Sequence, residues 1–154
     1  MPFDPDDVIV DGLTTYVQLS GDKKDAELGG YIYKTVADAF RSHLSAGDTC
    51  ALAFPSMIIR PDIRTQCFVA VLDSDVVVAW KKGVIRKTLE TEVIPRARIT
   101  SADVETGSSG ATRGATMLTI KAGETVTLAL PKGRKDLWAA IRQAVLPTQP
   151  APGS

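Results

Sequence analysis

From residue 49 to residue 130 the chain never settles into a helical rhythm. Short apolar or alternating runs follow one another, each closed by Gly, Pro, Asp or Ser, and an amphipathic helix appears only after the last of them. This succession constrains the fold more than any single residue does. Consecutive short strands joined by tight turns pair with their sequence neighbours, which gives a mainly antiparallel sheet, and one terminal helix is left to cover an open side.

Residues 49–54 and 57–59 are apolar runs separated by Pro55. Residues 67–72 pass across Asp73, Ser74 and Asp75 directly into residues 76–80, the pattern of a tight hairpin. Lys81, Lys82 and Gly83 make the next turn. Residues 84–94 then alternate, with Ile85, Lys87, Leu89, Thr91 and Val93 on one face and Arg86, Thr88, Glu90 and Glu92 on the other. The first set is expected inward, with Lys87 as its exception. Pro95 stops that strand, residues 99–104 form another, and residues 107–114, GSSGATRG, have the composition of a loop. Residues 117–121 and 126–130 are the final strands, joined through Ala122, Gly123 and Glu124. A helix starts near Gly133, because Leu137, Trp138, Ile141, Ala144 and Val145 share one face and Arg134, Lys135, Asp136, Arg142 and Gln143 the other. Pro147 ends it, and PTQPAPGS is expected to be a disordered tail.

Ahead of the strands, residues 1–21 mix Asp, Pro, Gly and Thr around one apolar stretch at 8–10, which suggests an acidic arm contributing at most an extra strand. Over residues 22–47, Leu28, Tyr31, Ile32, Thr35, Val36, Ala39, Phe40 and Leu44 recur every three or four positions, the mark of an amphipathic helix. Asp22 suits its N-cap and Gly47 its end. Gly29 and Gly30 fall inside and cost the helix about 2 kcal/mol together, so they mark close packing or a kink. A phosphate-cradling loop would need a strand before them and further glycines or a Lys-Ser/Thr pair directly after them, whereas no strand is expected there and Lys34-Thr35 follows only after Tyr31, Ile32 and Tyr33. The expected organisation is therefore an arm over 1–21, a helix over 22–47, the sheet domain over 48–146 and a tail over 147–154.

Composition narrows the class. The 154 residues are one domain's worth, and a 44% hydrophobic and 23% charged content is that of a globular chain. The start, MPFDPDDVIVDG, is acidic where a secretory leader is basic and then apolar, and no apolar run approaches a membrane span, so the expected location is the cytoplasm. Cys50 and Cys67 are two scattered thiols of the kind usually found buried and free. Residues 1–48 carry four Lys or Arg against nine Asp or Glu, and the remainder fourteen against nine. That mildly basic second part is ordinary for its length, and no nucleic-acid partner is expected.

The region 73–146 resembles a bacterial pleckstrin-homology-like (PH-like) domain of the kind that includes GRAM-related modules. Leu72-Asp73-Ser74-Asp75-Val76-Val77-Val78 resembles that family's hairpin into the third strand, and Trp80-Lys81-Lys82-Gly83 the turn after it. Residues 93–95 through 99–104 resemble the run into the fifth strand, and Trp138 falls on the closing helix, where PH domains place a tryptophan. The resemblance implies an α+β, mainly β fold. It is a bent antiparallel sheet or partly open barrel of about seven strands, closed by a C-terminal helix, with an additional N-terminal helix. Residues 49–72 supply the first two strands, and Trp138, Leu137, Ile141 and Val145 are structural residues filling the open end of the sheet.

Catalytic constellations are poorly served. The one histidine, His43, sits near the end of the N-terminal helix and no GxSxG elbow accompanies it, so a packed or solvated helix histidine is expected, with no enzyme activity and no cofactor. Two cysteines seventeen apart and one histidine miss zinc spacing, and Asp4, Asp6, Asp7 and Asp11 look like a solvated acidic face, so no metal is expected either. One cluster stands out. The resemblance implies that Arg60 and Arg64, between the first two strands, converge with Lys81, Lys82, Arg86 and Lys87, between the third and fourth. In lipid-binding PH domains these loops grip anionic headgroups. The plainer account is that they keep turns and strand edges soluble, and Pro61-Asp62 puts an acid into the first loop. The functional expectation is a non-enzymatic module that binds a protein partner or copies of itself. Binding an anionic ligand or the inner face of the membrane through the six cations is the alternative, and an enzyme using the N-terminal half is the remote one.

Overall fold

The computed structural model describes residues 3–60, 63–83, 85–106, 116–129 and 135–147, and the backbone alone at Arg60, Ile63, Arg64, Lys135 and Asp136. The expected loop over 107–114, the expected helix start at Gly133 and the tail after Pro147 lie outside the described residues. Seven strands, β1 (Cys50–Arg60), β2 (Ile63–Leu72), β3 (Asp75–Lys82), β4 (Thr88–Pro95), β5 (Ser101–Thr106), β6 (Thr116–Ala122) and β7 (Glu124–Ala129), join in one sheet. Its order is β4-β3-β2-β1-β7-β6-β5 and every pairing is antiparallel. Three helices accompany it: α1 (Pro5–Ser20), α2 (Lys24–His43) and α3 (Lys135–Val145).

Both faces of β1–β3 are buried. Leu52, Phe54, Cys67, Val69, Val71, Val76, Val78 and Trp80 point into one core, together with Leu118, Ile120 and Leu128 of β6 and β7. The alternate residues Ala53, Phe68, Ala70, Leu72, Val77 and Ala79 form a second core on the outside, against α2. Strands covered on both sides need no polar residue at every second position, which is why residues 67–72 and 76–80 are continuous apolar runs. Pro55 does not break β1. The β1–β7 ladder runs Met57–Ile59, so Pro55 sits where β1 leaves β7 and a missing N–H is tolerated.

α3 closes the inner core. Leu137, Trp138, Ile141 and Val145 all lie in it, as the position of the tryptophan implied. Two arginines hold this helix. Arg142 Nε donates to the Ala102 carbonyl of β5 at 2.6 Å. Arg96 lies in the single 3-10 turn (Arg96–Arg98) after β4. It donates from Nη2 to the carbonyls of Ala144 and Leu146 at 2.8 and 2.6 Å, and from Nη1 to those of Leu72 and Asp73 at 3.2 and 3.3 Å. It thereby satisfies carbonyls left over at the end of α3 while tying that end to the β2–β3 turn.

The N-terminal segment is corrected in kind. Residues 1–21 are not an arm or a strand, because residues 5–20 form α1. Asp4 Oδ1 accepts from the Asp6 N–H at 3.0 Å, Pro5 occupies the first turn, Asp6 and Asp7 face the positive end of the helix, and Gly21, at φ 72°, ends it. The Asp-Pro content that resembles a loop is a helix start. α1 packs chiefly on β1, where Gly12 lets the helix come close: a Cβ there would strike Cys50 Sγ and lie 3.1 Å from Ala53. α2 returns antiparallel to α1. Asp6 Oδ1 and Oδ2 accept from Arg41 Nε and Nη2, both at 2.9 Å, and Tyr33 Oη donates to Asp6 Oδ1 at 2.7 Å.

Two expected phases are also corrected. α2 ends at His43, and Gly47 lies in the turn beyond it at φ 94°. Its buried face carries Ile32, Tyr33, Val36, Ala37, Ala39 and Phe40, leaving Leu28 and Tyr31 45% and 70% exposed. β4 begins at Thr88, not residue 84, and its inward residue is Ile94. Register sets Glu90 opposite Trp80, Glu92 opposite Val78 and Ile94 opposite Val76, so these three share the inner face, while Val93 points outward and Ile85 is fully exposed in the turn.

Two measurements test this packing. Gly30 has open space where a Cβ would go, so Gly30→Ala should stabilise the protein by about 1 kcal/mol, whereas Gly12→Ala should destabilise it by about 1 to 3 kcal/mol despite the better helix former. Thermal unfolding of the two variants should move in opposite directions, and shifts of the same sign would contradict the close approach of α1 to β1. The second concerns Asp6, whose carboxyl is held below the usual carboxylate range, first by the Arg41 hydrogen bond and then by that of Tyr33. A lowered folded pKa stabilises above the unfolded value of about 4, and that contribution is lost as pH falls through the folded value. The Tm gap between the native protein and Asp6→Asn should be full near pH 7 and close in acid below about pH 4.

Candidate functional site

The turn between β3 and β4 brings part of the expected basic cluster together. Gly83 stands at φ 112°, and a side chain on it would strike the Arg86 carbonyl oxygen, so this residue lets the chain fold back tightly after Lys82. The reversal carries Lys87 over to Lys81. Both line one cavity of about 180 Å³ on the outer face of the sheet, with Tyr31 and Thr35 of α2 and Thr65 and Gln66 of β2. Among the described residues no carboxylate lines this cavity, and its two ammonium groups have hydroxyls and an amide as neighbours.

Two of the other expected cations stand apart from this cavity. Lys82 and Arg86 are exposed on the turn and do not line the cavity. Between them in sequence, Ile85 is 97% exposed. Arg60 ends β1 opposite Ile63, and Arg64 lies in β2 opposite Ile59. Their side chains lie outside the described residues.

A second cavity of about 240 Å³ adjoins the first, with Ile32 and Gln66 in both walls. Leu28, Pro55, Met57 and Ala129 make it mostly apolar, and Asp25 stands at its far end. Together the two form a trough between the N-terminal half of α2 and the sheet, cationic at one end and apolar along the rest. Leu28, Tyr31 and Met57 stand on its rim and are 45%, 70% and 38% exposed. Ser56 anchors the floor, its hydroxyl donating to the Ala129 carbonyl at 2.7 Å.

Residues with potential chemistry lie elsewhere. His43 Nε2 and Asp75 Oδ2 are 3.1 Å apart, which joins the end of α2 to the start of β3, and neither lines the trough. Among the described residues no group of three or more His, Cys, Asp or Glu converges on a possible metal position, and no helix is long and apolar enough to cross a membrane. Burial pushes the thiols of Cys50 and Cys67 up to about 12 each. At neutral pH neither presents a thiolate.

The sequence matches no family model and no curated protein. Solved structures do match. The hSac2 domain of the human phosphoinositide phosphatase Sac2 is similar at a TM-score of 0.54 and 11% identity, over 75% of this chain and 79% of that one. A DUF1696 family protein with a pleckstrin-homology domain from Shewanella loihica is similar at a TM-score of 0.50 and 16% identity, over 73% of this chain and 88% of that one.

The fold is PH-like. At such identities the likeness is one of architecture: a bent seven-stranded antiparallel sheet with α3 across its open side. In this PH-like chain the trough lies on the opposite face of the sheet from α3, where α2 packs. The family resemblance implied that Lys81 and Lys87 converge, while periodicity put Lys87 on an inward strand face, placed Leu28, Tyr31 and Thr35 on the apolar face of the helix and gave no sign of Thr65 or Gln66.

A thiol reagent checks the burial of the two cysteines. Buried Cys67 should resist alkylation near pH 8 in the native protein, half-buried Cys50 should react far more slowly than a free thiol, and both should react fully once it is unfolded in denaturant. Rapid labelling of either thiol in the folded state would contradict the packing of β1 against α1 and β2.

Proposed function

We propose that this PH-like chain is a binding module without chemistry of its own, and that it engages a protein partner through the trough between α2 and the sheet. The observation that carries the reading is the coincidence at one place of an apolar cavity, a cationic cavity sharing its walls, and three large exposed apolar side chains on the rim. Scattered apolar side chains on a surface mean little, but a clustered set around a groove with polar ends has the make-up of an interaction site. The PH-like fold agrees with a binding role, since its sheet holds Pro55, Met57, Gln66 and Lys81 in fixed positions opposite α2.

A second reading rests on a separate observation. Ile85 projects from the β3–β4 turn, and Lys82 and Arg86 flank it, exposed. An apolar tip set among cations suits the surface of an anionic membrane, where the cations meet headgroups and the isoleucine enters the interface.

One set of variants separates the two. Leu28→Asp with Tyr31→Glu alters the rim, and Ile85→Ser with Lys82→Ser and Arg86→Ser alters the turn; all five positions are on the surface, so folding should be retained. Peptides selected from a random display library against the native protein should lose binding to the rim variant and keep it with the turn variant. Selected peptides that bind the rim variant equally well would overturn the trough reading. Sedimentation with anionic vesicles that needs the turn residues, fades with salt and ignores the rim residues would favour the membrane reading instead.

A further inference from the structure

The trough has a chemical polarity, and its length can be read from α2. Leu28 marks its apolar part and Thr35 its cationic part. Seven residues of helix at a rise of 1.5 Å separate them by roughly 10 Å. Among the described residues no carboxylate lines the cationic end with Lys81 and Lys87, so an occupant that brings a negative charge there meets two partners of opposite sign.

Polar groups also line the trough part-way along. Gln66 stands where the two cavities meet, with Thr65 and Thr35 beside it. An acyl chain would cover these groups without bonding to them, which is costly. A polypeptide offers N–H and C=O groups throughout its length and meets them as it passes. The spacing fits as well. In the polyproline II conformation side chains return to the same side every third residue, with a rise of 3.1 Å per residue, so two such positions are roughly 9 Å apart.

We infer that the trough takes a segment of a partner protein in which a bulky aliphatic residue and an acidic residue stand three positions apart. The aliphatic side chain enters the cavity formed by Leu28, Ile32, Pro55 and Met57, the carboxylate lies between Lys81 and Lys87, and the backbone bonds to Gln66. This rests on the trough being the working surface, and it adds the chemistry of the occupant.

The test is a selection from random peptides displayed on phage, run in parallel on the native protein and on the double variant Lys81→Glu with Lys87→Glu, in which Lys81 is part-exposed and Lys87 exposed, after its Tm has been checked as unchanged. The native protein should enrich peptides with Leu, Ile, Val or Met three positions from Asp or Glu. Synthetic versions should bind roughly tenfold or more weakly to the double variant and weaken with salt. The double variant should enrich Lys or Arg at the acidic position. Enriched peptides that compete with one another, need Leu28 and Tyr31, and show no acidic preference would overturn this inference and leave the trough as the binding surface. Failure to enrich any peptide, or binding that ignores Leu28 and Tyr31, would overturn both. Decanoate that binds in the trough and displaces selected peptides more tightly than an acidic peptide of the motif would show that an amphiphile is the occupant, and would also overturn the inference.

Discussion

Strands β1 to β3 carry apolar side chains on both faces, and neither face can be left to water. On the inner side, Val69, Val71, Val76 and Val78 need the other half of the bent sheet and α3. On the outer side, Phe68, Ala70, Leu72 and Val77 need α2. Fully burying one Phe-sized side chain stabilises by roughly 2 to 3 kcal/mol, so an uncovered outer face with its phenylalanine and its row of Val, Leu and Ala residues would cost a large part of a domain's margin. The helical hairpin is therefore part of the PH-like unit, not an appendage to it. Its own pinning follows the same logic: Gly12 and Gly29 remove side chains where α1 meets β1 and α2, and the Asp6 fork with Arg41 fixes the antiparallel pairing of the two helices.

Closure on the other face depends on how α3 is held. Apolar contact through Trp138, Ile141 and Val145 sets its face but does not by itself fix where it stops. Arg96 does. Five carbonyls lie within reach of its guanidinium, three from the end of α3 and two from the β2–β3 turn, and its own N–H donates to the Ser74 carbonyl at 2.8 Å. A cation at the C-terminal end of a helix also opposes the helix dipole. One side chain thus couples the end of α3 to the β2–β3 turn, and a lysine, with a single ammonium, would not span both sets.

Much of this was legible in the sequence where the cause is local. Turn residues at Asp73–Ser74, Lys82–Gly83 and Gly123 mark the hairpins, and the 3.6-residue period of Leu137, Trp138, Ile141 and Val145 gives both the helix and its buried face. α1 was obscured because the same Asp-Pro dipeptide serves a loop and a helix start, and only the cap geometry at Asp4 separates them. In the sequence the continuous apolar runs of β2 and β3 read only as a hairpin, and the second cover they require becomes visible once α2 is placed on their outer face. In β4 the alternation was real and its phase reversed, since Glu90 and Glu92 share the inner face with Ile94 and only the register with β3 decides that. The trough was the least legible part. Lys81 stands out as a turn cation and Lys87 as a charge on an otherwise apolar face, but Gln66 and Thr65 acquire meaning only once α2 docks across β2, a long-range event that no local period records.

The trough itself follows from how a straight helix meets a twisted sheet. Close contact extends over only part of the helix, because the strands rotate beneath it. Here the contact is fixed in the C-terminal half of α2, where Tyr33, Phe40 and Phe68 pack with ring centroids 5.3 to 5.7 Å apart and Phe40 meets Phe68 edge-on at 87°. Towards Asp25 the strands offer Pro55 and Met57 opposite Leu28, and a cavity of about 240 Å³ is left between them. The apolar side chains that broke the expected buried face of α2, Leu28 and Tyr31, are the ones that border the trough. Their exposure is a consequence of the same packing that makes the outer core, which places the opening where the aromatic contacts end.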